Sequence, residues 1–540
     1  MVPDPRRGAT ATMPRAKSVV APTRNDRQAV VPSRLLRAGC HAALALMLAG
    51  CMGPALKEEI VRPAPTHALP PARDGLLHDL SRGVTNRHGA QSSGFRLLDG
   101  SRDALNARLA LIDSAVSSLD IQTYLWYDDS SGRLLLERAI LAADRGVRVR
   151  LIVDDLLTIG EDRFIHELDR RPDIEVRLFN PWRKRGLLSR GGEMLARMER
   201  LNTRMHDKLV IADGNAAIIG GRNIGDHYFG LSHDYNFHDL DVLGFGRCAR
   251  QANEMFDHFW NSEWVVSAAN LDVDPDPAFV EQAWAKLQAR NRAAPELAAF
   301  GTGARDWRGE AARLAGELHI GESRIVYDET TRNTISQEVA ERMFGFMGMA
   351  RKELLITNAY IIPGQPAIDF VRSLTGRGVR VRILTNSLAS HDVPAVNSHY
   401  KGWRDDFIRA GAELYELRSD PAIRSLVDVP PVVSGFTGLH TKAVVVDREY
   451  AFIGSMNFDP RSFRINTEAG VFVRSPGLAR ELAEVMERDM RPENAWRVLL
   501  DAKGRPYWVN SDQTVRRQPA RGVGQRLMDQ LFRVVPKEQY

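Results

Sequence analysis

Two copies of one residue pattern carry the chemistry available to this chain. His206-Asp207-Lys208 is followed by Asp213, Gly220 and Asn223, and His440-Thr441-Lys442 by Asp447, Gly454 and Asn457. In each copy the aspartate lies seven residues after the histidine, the glycine fourteen and the asparagine seventeen. Neutral imidazole attacks phosphorus or shuttles a proton near neutral pH. Lysine is a point charge suited to phosphate oxygens, and asparagine with the glycine-rich segment before it offers amide donors. Two imidazoles, two ammonium groups and two amides can break a phosphodiester without a metal or an organic cofactor. An isolated His-x-Lys on a strand is ordinarily a surface pair; recurrence of five residue types at one spacing is not.

These residues need strands to hold them. The histidines stand in apolar, β-branched runs, 205–212 and 439–446, which end in turn-like segments, 213–215 and 447–449. A second apolar run follows each, 216–219 and 450–453. Side chains two apart on a strand share a face, so His206 and Lys208 are expected to project together, as are His440 and Lys442. Asp213 and Asp447 fit two roles, a direct part in catalysis or a turn residue that bonds its own backbone.

The rest of the chain repeats as well. Residues 119–124 resemble 354–359, and 174–178 have a counterpart in 412–417. Gly146-Val147-Arg148-Val149-Arg150-Leu151 recurs as Gly378-Val379-Arg380-Val381-Arg382-Ile383. This is duplication of a whole domain. Between the first two strands of each copy lies a helical pattern, Leu134, Leu135, Ala139, Ile140 and Ala143, then Ile368, Val371 and Leu374, with Gly146 and Gly378 as stops. Strand, helix, strand with right-handed crossovers predicts an α/β fold of two helix-covered lobes about a pseudo-twofold axis, sharing one site at their junction. The expected organisation is a leader (1–50), a Pro-rich tether (51–84), a first lobe (85–270), a connector (271–318), a second lobe (319–500) and a tail (501–540).

The repeated His-Lys-Asp motif, with Asp128-Asp129-Ser130-Ser131-Gly132-Arg133, Gly220-Gly221-Arg222-Asn223 and Asn457-Phe458-Asp459-Pro460-Arg461-Ser462, resembles the phospholipase D superfamily. Within it the likeness is to bacterial cardiolipin synthases, in particular those that use phosphatidylethanolamine, and it runs from about Gly94 to Trp508. The resemblance implies that one histidine attacks phosphorus to form a phosphohistidine while the other protonates the leaving alcohol and deprotonates the incoming one. It assigns His206 as nucleophile and His440 as acid/base. Lys208, Lys442, Asn223 and Asn457 would stabilise the phosphorane, with no cofactor or metal. Glu468 stands where the family places a histidine-orienting carboxylate in the second half, and Asp239 matches in the first, with Asp241 as the alternative partner of His206. The second copy reads Gly454-Ser455 but the first Gly220-Gly221, so one hydroxyl donor to phosphate is missing there. The implied substrates are phospholipids: phosphatidylglycerol with phosphatidylethanolamine or a second phosphatidylglycerol would give cardiolipin. Hydrolysis to phosphatidic acid and cleavage of nucleic acid are the alternatives. The export signal and a Leu/Met-rich segment beside the motif argue against nucleic acid as a partner, and a monomer with internal symmetry suffices.

Arg34 and Arg37 precede a short apolar run, 42–48, that ends in Leu48-Ala49-Gly50-Cys51. That is the form of a secretory signal, and its end resembles a bacterial lipoprotein cleavage box. Cys51 would carry the lipid and hold the chain to the cell envelope, facing the periplasm. No run of eighteen apolar residues exists, and three cysteines build no disulfide framework. A formal charge of +5 with 44% hydrophobic residues fits an ordinary globular enzyme. Its basic excess gathers in 183–204, interleaved with Leu and Met directly before His206, as cover for the lobe or as a surface for anionic lipid. Leu527, Leu531, Phe532 and Val535, with Arg526 and Arg533, offer a second surface of the lipid-facing kind or, as expected, pack back on the core; His391 and His399 edge the cleft or, as expected, lie exposed in a polar loop.

Overall fold

Strand order is the same in both halves. In the first, Val265–Ser267, Ile174–Phe179, Arg148–Asp154, Ser118–Thr123, Leu209–Ala212, Ala216–Gly220, Asp241–Gly246 and Ser93–Leu98 lie side by side. In the second the sequence is Ala495–Leu500, Glu413–Leu417, Arg380–Asn386, Glu353–Asn358, Lys442–Val446, Tyr450–Gly454, Ala469–Arg474 and His319–Tyr327. The two edge strands meet antiparallel, Ser93 opposite Gly321 and Phe95 opposite His319, so the lobes continue one hydrogen-bonded sheet. The computed structural model describes residues 55–158, 160–185, 193, 200–301, 303–332 and 334–532.

Local sequence explains the crossovers. Ser130–Ala143 starts where the Asp129 carboxylate accepts from the Gly132 N–H and ends before Gly146, whose φ of 88° is left-handed. Its counterpart Gln365–Gly376 ends before Gly378 at φ 85°. Each helix returns the chain to a parallel strand, Ser118–Thr123 to Arg148–Asp154 and Glu353–Asn358 to Arg380–Asn386.

One core belongs to both halves. Ile211, Val242, Phe256 and Phe259 of the first lobe join Leu355, Val445, Leu482 and Met486 of the second in a single buried cluster. The helices Arg247–Trp260 and Pro476–Asp489 lie within it, each also touching a strand of the other lobe. Apolar side chains from both lobes therefore shield one another from water, which favours the lobes staying together.

Three expectations change. The Pro-rich run is extended but docked: Leu56, Lys57 and Ala72 donate backbone N–H groups to Arg183, Asn270 and Asp213 carbonyls, and Trp260 Nε1 donates to Thr66 Oγ1 at 2.8 Å. Its end is already helical, in Leu76–His88. The connector is part of the first lobe, because Pro277–Ala293 packs on Ser130–Ala143. The terminal helix Val523–Leu531 turns Leu527 and Leu531 outward, where a polar anchor, Asp529, takes the buried position. Cys51, Val535, Arg533 and most of 186–199 lie outside the described residues.

Candidate active site

The histidine segments change partners at the motif. Strand pairing within the first lobe begins only at Leu209; before it, Met205 bridges Thr467 of the second lobe. His206 N–H donates to Thr467 O at 3.1 Å and Thr467 N–H to Arg204 O at 3.0 Å. The second copy does the same in reverse: Phe436–Leu439 runs parallel to Tyr235–His238, and His440 N–H donates to His238 O at 2.8 Å. His206 and Lys208 therefore sit on a break between two pairings, not on the continuous strand expected.

That exchange decides which carboxylate each imidazole meets. The residue after Thr467 is Glu468, whose Oε2 lies 2.9 Å from His206 Nδ1. The residue after His238 is Asp239, whose Oδ2 lies 2.6 Å from His440 Nδ1. Both carboxylates are ones the sequence singled out, but Asp239 serves His440 and not His206. Asp241 serves neither, because Arg108 and Arg222 each approach it at 3.0 Å. Both pairings assign the proton to Nδ1 and leave Nε2 of each ring as the free base.

The two pairs differ electrostatically. Burial, then the Lys208 and Lys442 charges, holds His206 well below an ordinary histidine pKa. Burial and Lys442 push His440 down to about 4 against the pull of Asp239. Both rings are neutral at pH 7. Burial raises Glu468 well above the usual carboxylate range in spite of Lys208. Burial acts on Asp239 too, but His440, Lys442 and Arg222 together outweigh it and hold Asp239 low. The first is a strong proton acceptor, the second a fixed anion.

The missing hydroxyl follows from this difference. Ser455 Oγ donates to the Glu468 carboxylate, not outward to a phosphate position. In the first lobe a Cβ on Gly221 would fall 2.3 Å from Asp239 Oδ1. The Asp239 carboxylate itself fills the space a side chain would take, and only glycine leaves it room.

Lys208 and Lys442 are buried and each ammonium donates to the carbonyl of its own histidine, Lys208 to His206 O at 2.5 Å. Burial lowers them to about 7 and about 8. Asn223 accepts from the Leu125 N–H at 3.3 Å and donates to Tyr228 Oη at 2.8 Å. Asn457 Oδ1 is buried and has no hydrogen-bond partner among the described residues. Asp213 and Asp447 stand away from the chemistry. Asp213, at φ 56°, accepts from the Val116, Ser117 and Ser118 N–H groups, and Asp447, at φ 53°, from those of Arg351, Lys352 and Glu353. They close turns, so their catalytic assignment is withdrawn.

Aromatic rings that the motif does not announce enclose the imidazoles. Tyr124 meets His206 edge-on at 5.2 Å, and Tyr228 and Tyr360 meet His440 at 5.2 and 6.2 Å. Lys208 Nζ lies 5.3 Å over Tyr124 and Lys442 Nζ 5.7 Å over Tyr360. Pairing residues 119–124 with 354–359 sets Tyr124 opposite Ala359 and hides the equivalence with Tyr360, one residue on. His391, expected in the open, is buried and stacks on Tyr360 at 5.3 Å.

Residues 109–260 and 343–490 match the family described as "Cardiolipin synthase, PLD-like domain". Cardiolipin synthase C of Escherichia coli K12 is 33% identical over 465 residues, 84% of this chain and 97% of that protein. The major cardiolipin synthase of Bacillus subtilis 168 is 23% identical over 80% of this chain and 77% of its own. Among solved structures, the phosphatidylserine synthase of Haemophilus influenzae Rd KW20 superposes with a TM-score of 0.52 at 13% identity, over 77% of this chain and 91% of that one, a likeness of fold.

Proposed function

The chain belongs to the cardiolipin synthase family of PLD-like domains and is an enzyme of that superfamily, and we propose that it joins two phospholipids into cardiolipin. One observation carries the reading. Two neutral imidazoles are each fixed through Nδ1 by a carboxylate of the opposite lobe, with both ammonium groups close enough to depress both rings.

The unequal carboxylates support distinct roles. Glu468, a strong acceptor for the Nδ1 proton, raises electron density on His206 Nε2, which suits the nucleophile. Asp239, a fixed anion, stabilises the imidazolium form of His440, which suits the acid/base. An anionic phosphodiester arriving between the lysines raises the proton affinity of His440, whose Nε2 takes up a proton from solvent. His206 Nε2 then bonds to phosphorus, the P–O bond to the first alcohol breaks, and His440 gives that oxygen a proton. The hydroxyl of phosphatidylglycerol next loses its proton to His440 and attacks phosphorus, and the P–N bond breaks. Phosphatidylethanolamine or a second phosphatidylglycerol is the phosphatidyl donor. One chain supplies both halves of the site, so a monomer is sufficient.

Leu48-Ala49-Gly50-Cys51 supports placement on the periplasmic face of a bacterial envelope through a lipid on Cys51; radiolabelled acyl chain should be lost in Cys51→Ser. For the activity, purified protein in vesicles of phosphatidylethanolamine and phosphatidylglycerol should form cardiolipin by mass spectrometry. Phosphatidic acid as sole product would make it a hydrolase, and untouched lipid beside cut DNA a nuclease.

A further inference from the structure

The terminal helix Val523–Leu531 is inside out. Val523, Leu527 and Leu531, four apart, occupy one face and are 84%, 57% and 56% exposed, with Met528 beside them at 43%. The face turned to the protein is polar. Asp529 accepts from Asn397 Nδ2 at 2.6 Å and pairs with Lys401 Nζ at 2.5 Å, and Gln525 Nε2 donates to Leu388 O at 2.5 Å. A helix anchored by its acid and amide holds its leucines outward by construction, since rolling it over would bury them only by breaking a desolvated ion pair.

Its position gives the outward face a purpose. Arg521, just before the helix, donates to the Ala389 and His391 carbonyls. His391 stacks on Tyr360, which meets His440 edge-on. Arg521 also lies 3.6 Å over the ring of Phe436. From there a run of rings crosses to the other lobe: Phe436 to Tyr235 at 4.9 Å, Tyr235 to His227 at 4.4 Å, His227 to Tyr127 at 6.2 Å. Arg521 thus ties the start of the helix to an aromatic run that leads to the catalytic histidines. Arg517 is exposed before the helix and Arg526 half-exposed within it, a cationic flank suited to anionic headgroups.

We propose that Val523–Leu531 seats on the surface of a phospholipid bilayer and sets the mouth of the cleft against the leaflet that supplies the substrate. This rests on the reading of the site as one for phospholipids. An apolar stripe flanked by basic residues, tied through Arg521 to a run of amphipathic rings, is the composition of an interfacial helix. It acts locally and needs no lipid on Cys51.

The test uses the full chain with Cys40→Ser, Cys51→Ser and Leu527→Cys, labelled with an environment-sensitive fluorophore; Cys248, the remaining thiol, is buried. Vesicles of phosphatidylglycerol and phosphatidylethanolamine should shift its emission to the blue, and brominated acyl chains should quench it. A label at Arg313→Cys, on the exposed side of the helix Arg308–Glu317, should do neither. Unchanged emission at 527, or equal quenching at both sites, overturns the proposal. So does a shift without vesicles that grows with protein concentration, which would give the face to a second copy of the chain. Leu527→Ser with Leu531→Ser should slow turnover of vesicle lipid by about tenfold while sparing dispersed short-chain lipid; equal loss on both counts against it. If the parent protein transforms no lipid at all, the cardiolipin reading fails while the fluorescence still decides this one.

Discussion

Glu468 Oε2 reaches His206 Nδ1 at 2.9 Å across 262 positions of sequence and from the opposite lobe. The partner of His440 crosses the other way. Each lobe on its own holds an imidazole without its orienting acid, so the site exists only when both are folded together. Glu468→Gln and Asp239→Asn should each leave the fold intact and lower kcat by about 10²–10⁴-fold. Single-turnover measurements should separate them, Glu468→Gln slowing formation of the covalent adduct and Asp239→Asn slowing its release. Near-normal kcat in either variant would remove the orienting role.

The histidines should divide in a trapping experiment. His440→Asn lacks the base that activates the incoming alcohol, so a phosphatidyl adduct should build up on His206 and be visible by intact-protein mass spectrometry. His206→Asn should give none. Both should be inactive with unchanged circular dichroism. An adduct on His440 in the second variant would reverse the assignment.

Rate should depend on pH in a bell. As pH falls, protonation of His206 removes the nucleophile, and because burial with the Lys208 and Lys442 charges holds that ring well below an ordinary histidine, the acid limb lies correspondingly low. As pH rises through about 7, Lys208 loses the charge that steadies the phosphorane, and Lys442 follows near 8. The sign is that of a lowered lysine: the useful, charged form is present below its pKa and lost above it. Lys208→Arg should carry the alkaline limb of kcat/KM upward to the one set by Lys442. A profile flat to pH 9 would rule out a titrating lysine.

Asp213→Ala and Asp447→Ala should behave as structural variants. Each abandons three backbone N–H groups, a loss of roughly 1–3 kcal/mol in stability, seen as a lower Tm with kcat of the folded fraction little changed. A thousandfold fall in kcat at unchanged Tm would restore them to the chemistry.

Gly221→Ser imports the residue that the second copy carries at Ser455. Its Cβ would press on Asp239 at 2.3 Å, displacing the partner of His440, and activity should fall by at least about tenfold. Full activity would mean the Asp239 contact does not constrain the site.

Family and architecture were legible in the sequence because both were written twice. The spacing of His206, Lys208 and Asn223 recurs at His440, Lys442 and Asn457, and the helices before Gly146 and Gly378 end where a left-handed residue stops them. Pairing across the lobes was not legible. Sequence order sets Asp239 near His206, and only the backbone bonds of Thr467 and His238 hand each acid to the other histidine. Asp213 and Asp447 carry the same spacing whether they meet substrate or cap a turn, and only the backbone N–H groups that their carboxylates hold tell these apart. The last helix shows an apolar stripe from sequence, but the side it turns inward is settled by Asn397 and Lys401, more than a hundred residues away.

Fusing two copies into one polypeptide has a consequence that reaches beyond assembly. Identical subunits on a true twofold would be obliged to give both imidazoles the same acid. Here the copies have drifted apart, a short aspartate tight against Gly221 on one side and a longer glutamate bonded to Ser455 on the other. Broken symmetry of this kind leaves two imidazoles at matching positions with unequal acids, one carboxyl held high and the other held low.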